Sequence, residues 1–109
     1  MSIIPIGEMH HRIRLEEPVR MGEDGGGASV TWSLVAEVWG ALRPSGGAEV
    51  FEADGLKARA THEIWIRHRD GVRPEMRFVL DARTFDIRSV TGTPGRKRFL
   101  RCLVEERLP

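Results

Sequence analysis

The chain has 109 residues, 40% of them hydrophobic and 30% charged, with a formal net charge of +1. That is one globular domain rather than a disordered chain, and the charge balance gives no global drive toward nucleic acid. No apolar run approaches the roughly 18 residues of a membrane span, and the one cysteine, Cys102, excludes an internal disulfide and a cysteine zinc site.

From the N-terminus, "MSIIPIGEMHHR" has an apolar patch but neither a leading basic region nor a small-residue cleavage site, so it does not read as a signal peptide. Residues 1–11 are expected to be an arm that orders against a partner, and the cytoplasm of the producing cell is the expected compartment. "HRIRLEEPVR" alternates Ile13 and Leu15 against Arg12, Arg14 and Glu16, the period of a strand, with Pro18 at its end or on an edge. "MGEDGGGASV" is a turn. "VTWSLVAEVWGALRP" predicts the clearest strand, with Val30, Trp32, Leu34, Ala36, Val38 and Leu42 on one face. "ATHEIWIRHR" turns Ile64 and Ile66 inward. After "DGVRP", a turn, "EMRFVLD" and "ARTFDIRSV" place Met76, Phe78, Leu80, Phe85 and Ile87 inward. "TGTPGR" is a turn, and "KRFLRCLVEERL" closes the chain with Leu100, Cys102 and Val104 on one face.

Six short strands joined by Gly and Pro turns predict an all-β domain spanning 1–109, a small antiparallel barrel or sandwich. Closure would remove its exposed edges. One stretch breaks the pattern. Pro44 to Arg59, "PSGGAEVFEADGLKAR", is far longer than the two to five residues a plain hairpin needs. It is expected to be a long loop between the second and third strands, part of it able to form a helical turn. Loops of that length are commonly functional or disordered.

Little in the chain reads as catalytic chemistry. "GTPGRK" lacks the spacing and the following helix of a phosphate loop and is expected to be a hairpin turn. His62 and His68 share a strand face but lie about 20 Å apart, and His10 and His11 point to opposite faces if extended. No metal or cofactor is therefore expected. Cys102, flanked by Leu100 and Val104, reads as a small buried hydrophobe rather than a reactive thiol. Fifteen Arg stand against two Lys; the skew fits a GC-rich genome as well as interface chemistry. Trp32 reads as core. Trp39 and Trp65 fall out of phase with the inward residues of their strands, so with Arg67 they are candidates for an interface.

The order of these pieces resembles the head–tail joining proteins of tailed phages, also called adaptor, stopper or head-completion proteins. The resemblance rests on Val38-Trp39-Gly40-Ala41-Leu42-Arg43-Pro44, on Ala60-Thr61-His62-Glu63-Ile64-Trp65-Ile66-Arg67, and on Phe85-Asp86-Ile87-Arg88-Ser89-Val90. It covers roughly residues 10 to 107, and Gly40 departs from the usual Ala. It implies a non-enzymatic β-barrel in the neck of a virion, prophage particle or gene transfer agent. It implies a ring of six or twelve copies, with a portal or adaptor ring on one side, a tail-terminator or tail-tube ring on the other, and DNA passing through.

Under that resemblance the segment Pro44–Arg59 is expected to reach the ring axis and gate the channel, a stopper's role, with Ser45, Gly46 and Gly47 as hinge. Glu49, Glu52 and Asp54 against Lys57 and Arg59 make it slightly acidic, which favours sliding over sticking of DNA. The other reading is a structural arm on the neighbouring copy, anchored by Phe51. Arg96, Lys97, Arg98 and Arg101 form a second candidate patch, for DNA phosphate or an acidic partner. The rival to the whole reading is a monomeric β-barrel binding a nucleic acid or ligand, with Trp65-x-Arg67-x-Arg69 as its weak aromatic–basic pattern.

Overall fold

The computed structural model describes residues 6–22, 28–53, 56–92 and 98–107, with backbone alone for 6, 28, 46–53 and 56–59. A 3-10 turn, Ile6–Glu8, leads into β1 (His11–Gly22) and β2 (Ala28–Ala53). β3 (Leu56–Arg67), β4 (Arg77–Leu80), β5 (Arg83–Gly92) and β6 (Phe99–Arg107) follow. They close into one antiparallel barrel in the order β1-β2-β3-β6-β5-β4.

The predicted alternation fills the barrel. Ile13 and Leu15 of β1, Ile64 and Ile66 of β3, Phe78 of β4, Phe85 and Ile87 of β5, and Cys102 and Val104 of β6 meet in one buried cluster, with Met76 beneath. The β4–β5 hairpin turns within two residues, since Leu80 pairs with Arg83. Asp81 takes the left-handed conformation there at φ 53°, which Asp tolerates better than most residues. In the β3–β4 connection Gly71 does the same at φ 87°.

Three irregularities depart from a plain period of two. In β2, Ala36 pairs with Leu15 but Leu34 pairs with Glu16, so Val35 is an extra residue. Such a bulge moves every residue beyond it to the other face. Val38 therefore packs on the core, whereas Leu34 and Val30, expected inward, are 48% and 46% exposed. Trp32 lies half-buried on the outside, under the Arg77 guanidinium at 4.1 Å. In β5 the extra residue is Arg88, so Val90, rather than Ser89, faces Cys102.

The third irregularity revises the expected loop. Pro44 pairs with His62 and Glu49 with Ala60, so residues 45–48 bulge opposite Thr61 alone. Ser45 Oγ donates to the Ala60 carbonyl at 2.8 Å. Beyond the bulge, pairing continues from Glu49↔Ala60 to Ala53↔Leu56. The segment Pro44–Arg59 is thus neither an open loop nor helical. It is a two-stranded ribbon that prolongs β2 and β3 past the barrel. Asp54 and Gly55, between the last paired residues, lie outside the described residues.

Candidate assembly interface

On the outer wall, β1, β2 and β3 lie side by side. Trp39 of β2 stands between Arg12 of β1, its register partner, and Arg67 of β3, one step beyond the Gly40↔Ile66 pair. Trp39 is 53% exposed, the Arg12 guanidinium lies 5.2 Å from its ring, and Arg12 also pairs with Glu37 at 3.3 Å. Trp39 and Arg67 line one shallow pocket with Met9 and His10. The sequence-predicted pair Trp39 and Arg67 is therefore brought together. Trp65 shares the outer face, but Met9 and Phe99 cover it, leaving it 6% exposed. Its indole Nε1 donates to Glu63 Oε1 at 3.0 Å. Trp65, expected at an interface, is thus withdrawn from the surface by this chain's own N-terminal segment and β6.

Gly40 lets that wall approach the core. A Cβ there would meet Ile13 Cδ1 at 2.8 Å, the Trp65 carbonyl oxygen at 3.0 Å and Ile66 Cγ2 at 3.2 Å. Glycine at this position thus has a local steric reason.

Most described arginines are held in ion pairs, several of them across strands. Arg101 reaches Glu63 at 2.7 Å, Arg83 reaches Glu106 at 2.8 Å, Arg88 reaches Glu105 at 2.9 Å and Arg107 reaches Asp86 at 3.0 Å. Arg43 pairs with Glu8 at 2.8 Å, tying the 3-10 turn to β2. Exposed pairs of this kind contribute at most about 1 kcal/mol each, but they show where the arginines go. Of the second candidate patch, Arg101 is committed to Glu63, Arg98 is exposed, and Arg96 and Lys97 lie outside the described residues. Of the ribbon residues, Ser45 is placed by its hydrogen bond. Gly46, Gly47, Glu49, Phe51, Glu52, Lys57 and Arg59 are placed by backbone alone.

The histidines separate. His62 faces the barrel mouth, its ring edge-on to Phe85 at 5.5 Å and its Nδ1 2.9 Å from Thr61 Oγ1. Burial lowers its pKa, opposed by Glu106 and helped by Arg83. His10 and His11, expected on opposite faces, bring their rings to 4.3 Å, because His10 precedes the strand. Among the described residues no group of three or more His, Cys, Asp or Glu could hold a metal. Cys102 is fully buried, and burial pushes its thiol up to about 12.

A closed barrel with a projecting ribbon and an aromatic–arginine patch on its wall has the make-up of an assembly module. Comparison with known proteins identifies the class: the family model for phage head completion proteins matches residues 4–107, and the chain belongs to that family. It is similar to a chain of the virion of a native gene transfer agent particle, at 27% identity and a TM-score of 0.66, over 90% of this chain and 96% of that one. It shares its fold with protein SF1141 from Shigella flexneri 2a, at 21% identity and a TM-score of 0.64, over 93% of this chain and 96% of that one. No curated protein matches by sequence. The protein is thus a structural component of a phage or phage-like particle.

Proposed function

We propose that the protein is a head–tail connector of the stopper kind. Copies form a ring in the particle neck that joins the portal or adaptor ring to the tail-terminator or tail-tube ring. DNA passes through the ring, and the ring closes or gates that channel. The observation that carries this reading is the likeness to a gene transfer agent virion chain over nearly the full length of both chains.

The β2–β3 ribbon is the element suited to the channel. It leaves the barrel at one end, and the bulge at 45–48, with Gly46 and Gly47, is where it can bend. Glu49, Glu52 and Asp54 would repel phosphate and keep DNA from sticking.

Removing the gene from a particle-producing strain tests the reading. The expected result is DNA-filled heads without tails, or heads that have lost their DNA; normal tailed particles would refute it. Deleting Ala48 to Leu56 tests the gate: intact rings with leaking DNA support it, whereas loss of the rings makes the ribbon an assembly arm.

A further inference from the structure

Every large hydrophobic residue exposed among the described residues lies on β1 or β2: Val19, Met21, Val30, Leu34, Val35 and Trp39. Exposed apolar side chains gathered in one region mark a contact surface. The backbone there is open as well. β2 pairs with β1 from Ala28 to Gly40, but its pairing with β3 begins only at Gly40↔Ile66. Residues 28–39 of β2 therefore have no strand on their β3 side among the described residues. Natural edges are usually blunted by charge or proline. Ala28 to Ala36 carries neither, so this edge is open to an added strand.

The charges beside the edge define what that strand carries. Arg67, Arg69 and Arg98 enter no ion pair among the described residues. They stand together where β3 parts from β2. Arg67 is the register partner of Phe99, and the His68 amide donates to the Arg98 carbonyl at 2.9 Å. The Arg69 Nε is buried with no hydrogen-bond partner, a donor short of an acceptor. Trp39, at the end of the open edge, shares a pocket of about 350 Å³ with Arg67. Unpaired guanidiniums take carboxylates, whose two oxygens match their fork. DNA phosphate would suit the guanidiniums but not the uncharged, apolar edge next to them.

We propose that the β2 edge, residues 28–39, with Arg67, Arg69 and Arg98 at its end, is the docking site for an extended acidic segment of a different neck protein. The segment adds a strand to β2, sets carboxylates against the three guanidiniums and packs apolar side chains on Leu34 and Trp39. The docking rests on the neck reading above. It leaves the β2–β3 ribbon free for the channel, because the site lies at the opposite end of the β2–β3 pair.

Site-directed photo-crosslinking in whole particles tests it. The full chain carries p-benzoylphenylalanine in place of Leu34, an apolar exchange that keeps Trp39 and the three arginines. The control carries it in place of Thr91, an exposed position on β5. In irradiated, purified particles, position 34 should link to a different particle protein, within a segment that mass spectrometry shows to be rich in Asp and Glu. Position 91 should not give that link. Adding Arg67→Glu with Arg98→Glu should lower the yield about tenfold or more. Arg67→Gln with Arg98→Gln should lower it in the same direction. Both side chains are exposed, so the melting temperature of the purified chain should stay within a few degrees of the parent. Particles that contain the chain but give no link overturn the docking and leave the neck reading standing. The same holds for the same link from position 91, a link to a segment without carboxylates, to a second copy of this chain or to DNA, and for a yield that the arginine replacements leave unchanged. Particles that lack the parent chain overturn both readings.

Discussion

Replacing Arg77 by alanine should be among the most destabilising single changes outside the core. Glu16 is the one charged residue buried among the described residues; its side chain is 9% exposed. Arg77 Nε donates to Glu16 Oε1 at 2.8 Å, and Arg14, itself half exposed, reaches the other oxygen at 3.3 Å. Glu16↔Arg77 is also the last pair of the β1–β4 seam that closes the barrel. Breaking a fully buried pair from one side costs about 3–5 kcal/mol, because the remaining charge is left without its partner. Here Arg14 stays, and water can enter the vacated space, which lowers the figure. The lost stacking on Trp32, at 4.1 Å, adds about 0.5–1 kcal/mol. The net expectation is a loss of about 2–4 kcal/mol, a large part of the roughly 5–15 kcal/mol that holds a domain of this size together. The double variant Glu16→Met with Arg77→Leu removes both charges together and should recover to within about 1 kcal/mol of the parent. Urea unfolding followed by circular dichroism measures both. A loss below about 0.5 kcal/mol for Arg77→Ala, or a double variant as unstable as the sum of the single ones, would refute the reasoning.

Gly40→Ala should be destabilising although it lowers unfolded-state entropy. The two close contacts and the fixed Trp65 carbonyl cost about 1–3 kcal/mol against a gain of about 0.4–1 kcal/mol; the melting temperature should fall by roughly 4–8 °C. His62, its pKa lowered chiefly by burial, contributes stability in full above the unfolded-state value of about 6.5. That stability is lost as pH falls below it, toward the lower folded-state pKa, because the unfolded chain takes up the proton first. Thermal melts from pH 7 down to pH 5 should therefore drop more steeply for the parent than for His62→Gln, and equal slopes would contradict this. Cys102, with its thiol pushed up to about 12, should resist a thiol reagent in the folded protein and react fully in guanidinium; rapid labelling of the folded chain would show that the barrel opens.

Strand existence and the inward residues of β1, β3, β4 and β6 were legible because half-buried antiparallel strands write their burial as a period of two. The bulges were not legible. One extra residue at Val35 leaves "VTWSLVAEVWGAL" looking like unbroken alternation while reversing the faces on either side. The ribbon carried a readable sign, the Asp54-Gly55 dipeptide favoured in two-residue hairpins, hidden by the non-periodic Ser45-Gly46-Gly47-Ala48 before it. Trp39 as a surface aromatic could be read from its phase. The covering of Trp65 could not, because Met9 and Phe99 come from far along the chain. Nor could the arginine pairs, since cross-strand partners follow from a register that local sequence does not specify.

Cryo-electron microscopy of intact particles from the strain that encodes this chain tests the central claim most directly. The neck density should contain a ring of copies of this barrel between portal and tail, with the β2–β3 ribbon of each copy inside the ring. A neck that accommodates no copy of the chain, in particles that package DNA and carry tails, would contradict the assignment.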